Sequence, residues 1–229
     1  MHTEAIQFET EDGVTIHGTW RNNSAKAPWT ALLLHMMPSD RTSWEEFSQE
    51  LAQKNISSLA IDLRGHGESV HQGSLTLKYQ AFTDQQHQES FRDVLGAHQW
   101  LFGHDVPEEK IIPIGASFGA TLALQDLAVH PQLHFGVVLS PGMNYRSVDA
   151  DPLVRKLLSH QSLLLVASKA DTESAAAAIE LDRIAQMPHE LFLQDGSAHG
   201  TDMLTQEDFL GERIVNWLEE NIFTDRNNG

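Results

Sequence analysis

The stretch Gly115-Ala116-Ser117-Phe118-Gly119 decides the interpretation of the chain, because it places a serine between a strand pattern and a helix pattern. The apolar run 110–114 precedes it, and the helix-favouring run 120–128 follows it. A serine in such an elbow takes a strained backbone conformation, and small flanking residues let strand and helix approach closely. We therefore predict that the Ser117 hydroxyl projects from the sheet. The Phe118 N–H should then lie in the first turn of a helix, where an anion is favoured.

Continuous apolar runs recur along the chain and predict strands that are buried on both faces. They lie at 29–34, 56–61, 111–114, 136–139, 163–166 and 191–193. Runs of this kind are typical of parallel sheets that helices cover on both sides. Near the N-terminus, Glu11-Asp12-Gly13 lies between two strand-like segments and predicts a hairpin turn. The sheet should therefore begin with an antiparallel hairpin.

Segments with helical periodicity alternate with these runs. One begins near Ser43, where Glu46 completes a capping-box pattern, and others cover about 86–102, 175–184 and 207–221. Strands that alternate with helices predict an α/β fold with a mostly parallel, doubly wound sheet and helices on both faces. We expect a single domain over 1–229, with a short flap at about 141–160 and a disordered tail at about 224–229.

The composition restricts the possible functions. The chain has 229 residues, no cysteine and a formal net charge of −17. Without cysteine there is no disulfide, no thiolate zinc site and no cysteine nucleophile. The negative charge disfavours nucleic acid and anionic membrane surfaces as partners, and neither a secretory signal nor a membrane-spanning run is visible. We expect a cytoplasmic protein that acts on a small molecule without a cofactor, and its oligomeric state stays open.

A serine hydroxyl is a poor nucleophile unless a base takes its proton and a carboxylate orients the base. The sequence supplies both groups, since Asp171 follows the run 163–166 and His199 follows the run 191–193. In open α/β sheets ligands bind beyond the carboxyl ends of the strands, so all three side chains should lie on one rim. We predict Ser117 as the nucleophile, His199 as the base and Asp171 as the orienting acid.

These motifs resemble the α/β-hydrolase superfamily over nearly the whole chain. The order serine, aspartate, histidine is the one found in that family, and residues 62–69, Asp-Leu-Arg-Gly-His-Gly-Glu-Ser, resemble its D-x-R-G-H-G-x-S turn. By this resemblance Arg64 and His66 hold a loop in place. The family also forms part of an oxyanion hole after its third strand, where this chain reads His35-Met36-Met37-Pro38. The resemblance thus implies that the backbone N–H groups of Met37 and Phe118 bind the oxyanion.

The same resemblance implies a small serine carboxylesterase that is similar to the dienelactone-hydrolase-like hydrolases, although serine replaces their cysteine nucleophile. The segment 140–159 is too short for the helical lid of many relatives, so we expect an open site for carboxylic esters of short to medium acyl chain. Met36, Met143 and Tyr145 are the candidate pocket residues, and the alternative for Met36 is that it fills core space. A thioesterase and a catalytically silent hydrolase-like binding scaffold are the alternatives, and a peptidase for proline or small amino acids is a lesser one.

Other carboxylates compete with Asp171 for the role of the acid. Asp195 lies close to His199 in the chain, and Asp149 and Asp151 occur in a loop. Asp171 is preferred because a strand and a helix separate it from His199, as in the family that the chain resembles.

The 13 histidines raise the question of a metal site. They are scattered along the chain, without the H-E-x-x-H spacing of zinc hydrolases. His66 and His71 come closest to a ligand pair. From this spacing we predict no metal site.

Overall fold

The computed structural model describes residues 2–23, 29–206 and 209–228. Its strands are β1 (His2–Glu9), β2 (Val14–Asn22), β3 (Thr30–Leu34), β4 (Ser57–Ile61), β5 (His71–Gln72), β6 (Leu75–Thr76), β7 (Ile111–Ala116), β8 (Phe135–Leu139), β9 (Asn144–Tyr145), β10 (Val148–Asp149), β11 (Ser162–Ser168) and β12 (His189–Gln194). Its α-helices are α1 (Glu45–Gln53), α2 (Asp84–Gln88), α3 (Phe91–Phe102), α4 (Phe118–Val129), α5 (Ala150–Lys156), α6 (Thr172–Ile184), α7 (Met203–Gln206) and α8 (Leu210–Asn228).

The central sheet has the strand order β12-β11-β8-β7-β3-β4-β2-β5-β6, and β1 pairs with β2. The neighbours from β12 to β4 are parallel, whereas β2 runs antiparallel to β1, β4 and β5. The predicted fold class, a mostly parallel sheet with an antiparallel N-terminal hairpin, is confirmed. In the part of the chain that the structure describes, no helix is both long and apolar enough to cross a lipid bilayer.

The apolar core lies in two layers, one on each face of the sheet. Along β3, Leu32 and Leu34 belong to one layer, and Leu33 belongs to the other. Successive side chains of a strand point to opposite faces, and all three of these leucines are fully buried. Helices cover this sheet on both sides, so successive strand residues on both faces must be apolar.

The start of α1 differs from the prediction. Ser43 and Glu46 form no capping box; instead Asp40 accepts a hydrogen bond from the Thr42 N–H and caps a 3₁₀ turn that leads into the helix at Glu45. Asp40 has extended backbone and a short carboxylate side chain, which is the arrangement that caps a helix start well.

Two further helix predictions need adjustment. The predicted helix 86–102 is divided into α2 and α3, and Thr83 caps α2 through a capping box with Gln86. The last helix begins at Leu210, later than predicted, and residues 207–208 lie outside the described part. Its helical backbone extends to Asn228 and so overlaps the segment of about 224–229 for which the sequence predicts a disordered tail; Gly229 lies outside the described residues.

An ion-pair network holds the loop 62–69 between separate elements. The buried Arg64 guanidinium donates to Asp93 on α3 at 2.9 Å and to Asp12 in the β1–β2 turn at 2.7 Å. The Arg64 N–H also donates to Asp93 at 2.8 Å. These contacts agree with the structural role that the resemblance implies for Arg64, because they join the loop after β4 to α3 and to the N-terminal hairpin.

Replacing Asp93 with alanine should lower the free energy of unfolding by about 3–5 kcal/mol, because the buried Arg64 charge would lose its fully buried partner. The matched control is Asp195→Ala, which breaks a pair between Lys169 and a carboxylate that is 93% exposed. We expect the control to cost less than about 1 kcal/mol. Urea denaturation followed by circular dichroism measures both, and equal small losses would contradict the network's role.

Candidate active site

The elbow between β7 and α4 is so tight that two of its positions require glycine. A Cβ atom on Gly115 would lie 2.0 Å from the Gly119 carbonyl oxygen, and one on Gly119 would lie 2.1 Å from the Leu34 carbonyl oxygen. Ser117 between them has a φ of 52° and a ψ of −113°, a conformation that L-residues rarely adopt. The predicted strand–turn–helix elbow is therefore present, with its serine in the strained position.

The three predicted catalytic side chains form one hydrogen-bonded chain. Ser117 Oγ lies 2.8 Å from His199 Nε2, and His199 Nδ1 lies 2.6 Å from Asp171 Oδ2. This network assigns the tautomer: Nδ1–H donates to the Asp171 carboxylate, and Nε2 accepts from the Ser117 hydroxyl. The structure thus brings together the residues that the sequence singled out, and the arrangement can move a proton away from the serine oxygen.

The carboxyl edge of the sheet carries all three side chains. Ser117 follows β7, Asp171 follows β11 as the cap of α6, and His199 follows β12. Ser117 is only 1% exposed, whereas the His199 side chain is 40% exposed. The nucleophile is therefore shielded, and solvent reaches the base.

Two buried serines hold the backbone on either side of His199. Ser168, at the end of β11, donates its hydroxyl to the Ala198 carbonyl at 2.7 Å. Ser140, directly after β8, accepts from the Gly200 N–H at 2.8 Å. Both residues were missed from the sequence, although each lies at the carboxyl end of a buried strand as Asp171 does. They fix the histidine loop against two neighbouring strands.

The rival carboxylates point elsewhere. Asp195 is highly exposed and forms an ion pair with Lys169 at 2.7 Å. Asp149 accepts a hydrogen bond from Asn144. Asp151 forms an ion pair with Arg155 at 2.6 Å. Asp171 is the carboxylate that contacts His199.

The loop after β3 lies directly against the start of α4. Because Gly119 approaches the carbonyl oxygens of Leu34 and His35, the first turn of α4 is pressed onto this loop. The Phe118 N–H belongs to that turn, where N–H groups have no partner within the helix. Met37 packs against the core layer that contains Phe118. These contacts support the predicted pairing of Met37 and Phe118 at an oxyanion, and their role stays a prediction.

Two buried histidines support this loop in their neutral form. His35 donates from Nδ1 to the Met36 carbonyl at 2.8 Å and accepts at Nε2 from the Leu63 N–H at 3.0 Å. His66 stacks on Tyr79, with ring centroids 3.9 Å apart. Burial lowers the pKa of His35 to about 4 and the pKa of His66 to about 4. Both rings are structural, which is the role that the resemblance implies for His66.

A cavity of about 500 Å³ opens beside His199. Of the predicted pocket residues, Met143 and Tyr145 line it. Met36 is not among its lining residues; it packs against the second core layer, and its Sδ atom lies where a Cβ on Gly200 would approach within 2.5 Å. The Met36 side chain therefore fills space beneath the histidine loop. Glu173 also lines the cavity and was missed, because the sequence does not show which residues of α6 face the site.

A short flap brings one phenol into contact with the nucleophile. The hairpin of β9 and β10 places the Tyr145 hydroxyl 3.4 Å from Ser117 Oγ. Helix α2 holds this hairpin, since Gln88 donates to the Arg146 carbonyl and Ser147 donates to Asp84, both at 2.8 Å. The segment 141–160, which the sequence predicted as a short flap, is thus tied to the body of the fold.

The fold and this constellation agree with the comparison to known families. A profile of the "alpha/beta hydrolase family" matches residues 14–219. The chain belongs to this family. A probable alcohol acetyltransferase from Cyberlindnera fabianii is 29% identical over 120 residues, which are 52% of this chain and 29% of that relative. The aligned part thus covers less than a third of the relative's length.

Solved structures show the same fold. An esterase of Pyrococcus furiosus superposes with a TM-score of 0.74 at 20% identity, over 96% of this chain and 92% of that chain. A dienelactone hydrolase of Anabaena variabilis superposes with a TM-score of 0.71 at 19% identity, over 97% of both chains. The esterase domain of a Rhodothermus marinus protein gives 0.74 at 17% identity, over 96% of this chain and 99% of that chain.

The two buried neutral histidines predict how stability depends on pH. Each has a folded-state pKa of about 4, below the unfolded value of about 6.5, so between these values the unfolded chain binds more protons. Their contribution to the free energy of unfolding is complete above about pH 6.5 and is lost as the pH falls toward 4. The variant His66→Phe can keep the stacking on Tyr79 but has no imidazole to protonate. Its free energy of unfolding should therefore fall less steeply with decreasing pH than that of the wild type, by up to about 1.4 kcal/mol per pH unit. Urea midpoints at pH 4.5 to 7 measure this, and parallel pH profiles of variant and wild type would contradict it.

Proposed function

We propose that the protein is a serine-dependent carboxylic ester hydrolase that acts through an acyl-enzyme. The observation that carries the proposal is the continuous contact from Ser117 through His199 to Asp171, at 2.8 Å and 2.6 Å. Hydroxyl, imidazole and carboxylate in this order are what nucleophilic acyl transfer requires. Membership of the α/β-hydrolase family supports the reaction class.

In the first step Ser117 Oγ attacks the ester carbonyl carbon while His199 Nε2 takes the hydroxyl proton. Asp171 keeps Nδ1 protonated and stabilises the imidazolium that forms. The N–H groups of Met37 and Phe118 bind the oxyanion of the tetrahedral intermediate; one such donor contributes about 3–4 kcal/mol in comparable enzymes. The His199 imidazolium then donates its proton to the leaving alcohol, and the acyl group stays on Ser117.

In the second step water must reach the same base. The 40% exposure of the His199 side chain provides this access from the cavity side. His199 takes a proton from the water as the water attacks the acyl carbon. The proton then returns to Ser117 Oγ, and the carboxylic acid leaves. Ser140 and Ser168 keep the imidazole in place through both steps, because they hold the backbone of its two neighbours.

The cavity limits the substrates. A volume of about 500 Å³ beside His199 accommodates short to medium acyl or alcohol groups. Asp171 and Glu173 line it, and the whole chain carries a formal charge of −17. Carboxylates at this position repel anionic groups. Neutral esters are therefore the proposed substrate class, and anionic acyl-CoA thioesters are disfavoured.

Two alternatives keep the same fold. A thioesterase would turn over a thioester faster than the matched ester. A catalytically silent binding scaffold would turn over neither, and the complete hydrogen-bonded triad argues against it.

A second candidate function comes from one specific likeness. The relative that is 29% identical over part of the chain is named a probable alcohol acetyltransferase. Transfer of the acyl group from Ser117 to an alcohol uses the same first step, and only the acceptor of the second step differs. Hydrolysis is preferred here because His199 is open to water. Detection of an acetyl ester as the main product when ethanol is added would instead favour transfer.

The central residues can be tested on p-nitrophenyl butyrate. Ser117→Ala should reduce kcat by at least about 10⁴-fold because the nucleophile is lost, and Asp171→Asn should cost about 10⁴-fold because His199 loses its orienting acceptor. The matched control is Asp195→Asn at the exposed rival carboxylate, which should leave kcat within about twofold. If Asp195→Asn lost its activity and Asp171→Asn kept it, Asp195 and not Asp171 would be the acid that orients His199. Retained activity in Ser117→Ala would contradict the proposed reaction.

A further inference from the structure

A second cluster of chemically active side chains lies away from the active site, between α3 and α4. His98 comes from α3, Asp126 comes from the last turn of α4, and His130 directly follows that helix. Their ligand atoms all lie within 4.8 Å of one another. Asp126 is nine residues after Ser117 in the chain, which places it about 13 Å along the helix axis from the nucleophile. The proposed ester hydrolysis does not use this cluster.

Both imidazoles point a nitrogen at the same carboxylate. His98 Nε2 lies 2.9 Å from Asp126 Oδ2, and His130 Nδ1 lies 2.7 Å from Asp126 Oδ1. The two rings stack, with centroids 4.7 Å apart and an angle of 19° between their planes. Two nitrogens and a carboxylate oxygen therefore converge on one small volume.

The carboxylate at the centre is fully buried, with no exposed side-chain surface. Each of its two oxygens faces one imidazole nitrogen. A buried negative charge of this kind needs a positive partner. A protonated histidine or a cation supplies one.

The surroundings of His130 favour the cation. Its Nδ1 faces Asp126, and its Nε2 lies 4.0 Å from the Glu108 carboxylate. When an imidazole binds a metal through one nitrogen, its proton moves to the other nitrogen, which usually donates to a carboxylate, carbonyl or water. Glu108 stands where it would accept this proton after a small movement. His130 therefore has a carboxylate beside each ring nitrogen. This arrangement suits the tautomer in which Nδ1 binds the metal and Nε2 carries the proton.

The cluster is also accessible. His98 and His130 line an open cleft of about 460 Å³, with Glu108 and Glu109 at its edge. The acidic rim and the strongly negative net charge attract cations. An ion can therefore enter without opening the fold.

We propose that His98, Asp126 and His130 bind a divalent transition-metal ion of the Zn²⁺ type, with Glu108 as the outer carboxylate and water completing the coordination. Two imidazoles and one carboxylate form a donor set that such ions prefer over Ca²⁺ or Mg²⁺. Zinc lies about 2.0–2.2 Å from its ligands, so tetrahedral ligand atoms lie about 3.3–3.6 Å apart. His98 Nε2 and His130 Nδ1 now lie 2.9 Å and 2.7 Å from the Asp126 oxygens. To admit the ion, each nitrogen must therefore move away from the carboxylate by roughly half an ångström.

The ion would join α3 to α4, the helix that carries the elbow. Its function is then to stabilise the fold, and ester cleavage does not require it. This proposal departs from the sequence prediction of no metal site, because His98 lies far from the other two ligands in the chain. Asp126 and His130 are four residues apart at the end of α4, and sequence reasoning passed over this pair.

Titration of the chelator-treated full chain with ZnCl₂, followed by calorimetry, tests the site. Wild type should bind one Zn²⁺ per chain, and His98→Gln should weaken the affinity by about 100-fold while its amide still donates to Asp126. Glu108→Gln, a change at a partly exposed side chain, should weaken the affinity by about 10-fold without affecting the fold. The matched control is the exposed His71→Gln, which removes one histidine elsewhere and should bind as wild type does.

Thermal unfolding gives an independent readout. At a Zn²⁺ concentration one hundred times the wild-type Kd, the wild-type melting temperature should rise by about 5–10 °C, and that of His98→Gln should rise by only about 1 °C under the same conditions. Hydrolysis of p-nitrophenyl butyrate by wild type should be equal with and without Zn²⁺, so the result does not depend on the proposed function. No Zn²⁺ binding by wild type, or equal affinity in wild type, His98→Gln and Glu108→Gln, would overturn the proposal.

Discussion

The site depends on one close contact, in which the first turn of α4 lies against the carboxyl ends of β3 and β7. Side chains at Gly115 or Gly119 would overlap backbone atoms, so the chain has room for this contact only with glycine at both positions. The contact forces Ser117 into a positive φ and turns its hydroxyl toward His199. It also presses the loop after β3 onto the helix N-terminus. Nucleophile and candidate oxyanion donors are therefore positioned by the same packing.

The remaining parts of the site are held by strands that adjoin this contact. Ser140 directly follows β8, Ser168 ends the neighbouring strand β11, and both bind the backbone around His199, while Asp171 stands at the N-cap position of the helix that follows β11. On the other side of the elbow, the neutral His35 links the β3 loop to the backbone of Leu63. Buried polar contacts thus fix each loop separately, and a catalytic arrangement needs all of them at once.

Much of this can be predicted from the sequence, because Ser117, Asp171 and His199 each follow a buried apolar run, and parallel strands bring their carboxyl ends to one edge. Features that depend on packing between distant elements cannot be predicted in this way. Ser140 and Ser168 look like ordinary strand-end serines until the histidine loop lies beside them. For Met36 the sequence left pocket wall and core filling open, because its direction depends on the loop conformation; the side chain packs beneath Gly200. The cluster of His98 with Asp126 likewise requires two helices to meet.

The central claim is that the Ser117 oxygen is a nucleophile activated by His199. Reaction with a fluorophosphonate, followed by peptide mass spectrometry, tests it most directly. The account predicts one adduct per chain, on the peptide that contains Ser117, and loss of labelling in folded His199→Ala. Absence of an adduct on folded wild type, an adduct on another residue, or undiminished labelling of His199→Ala would contradict it.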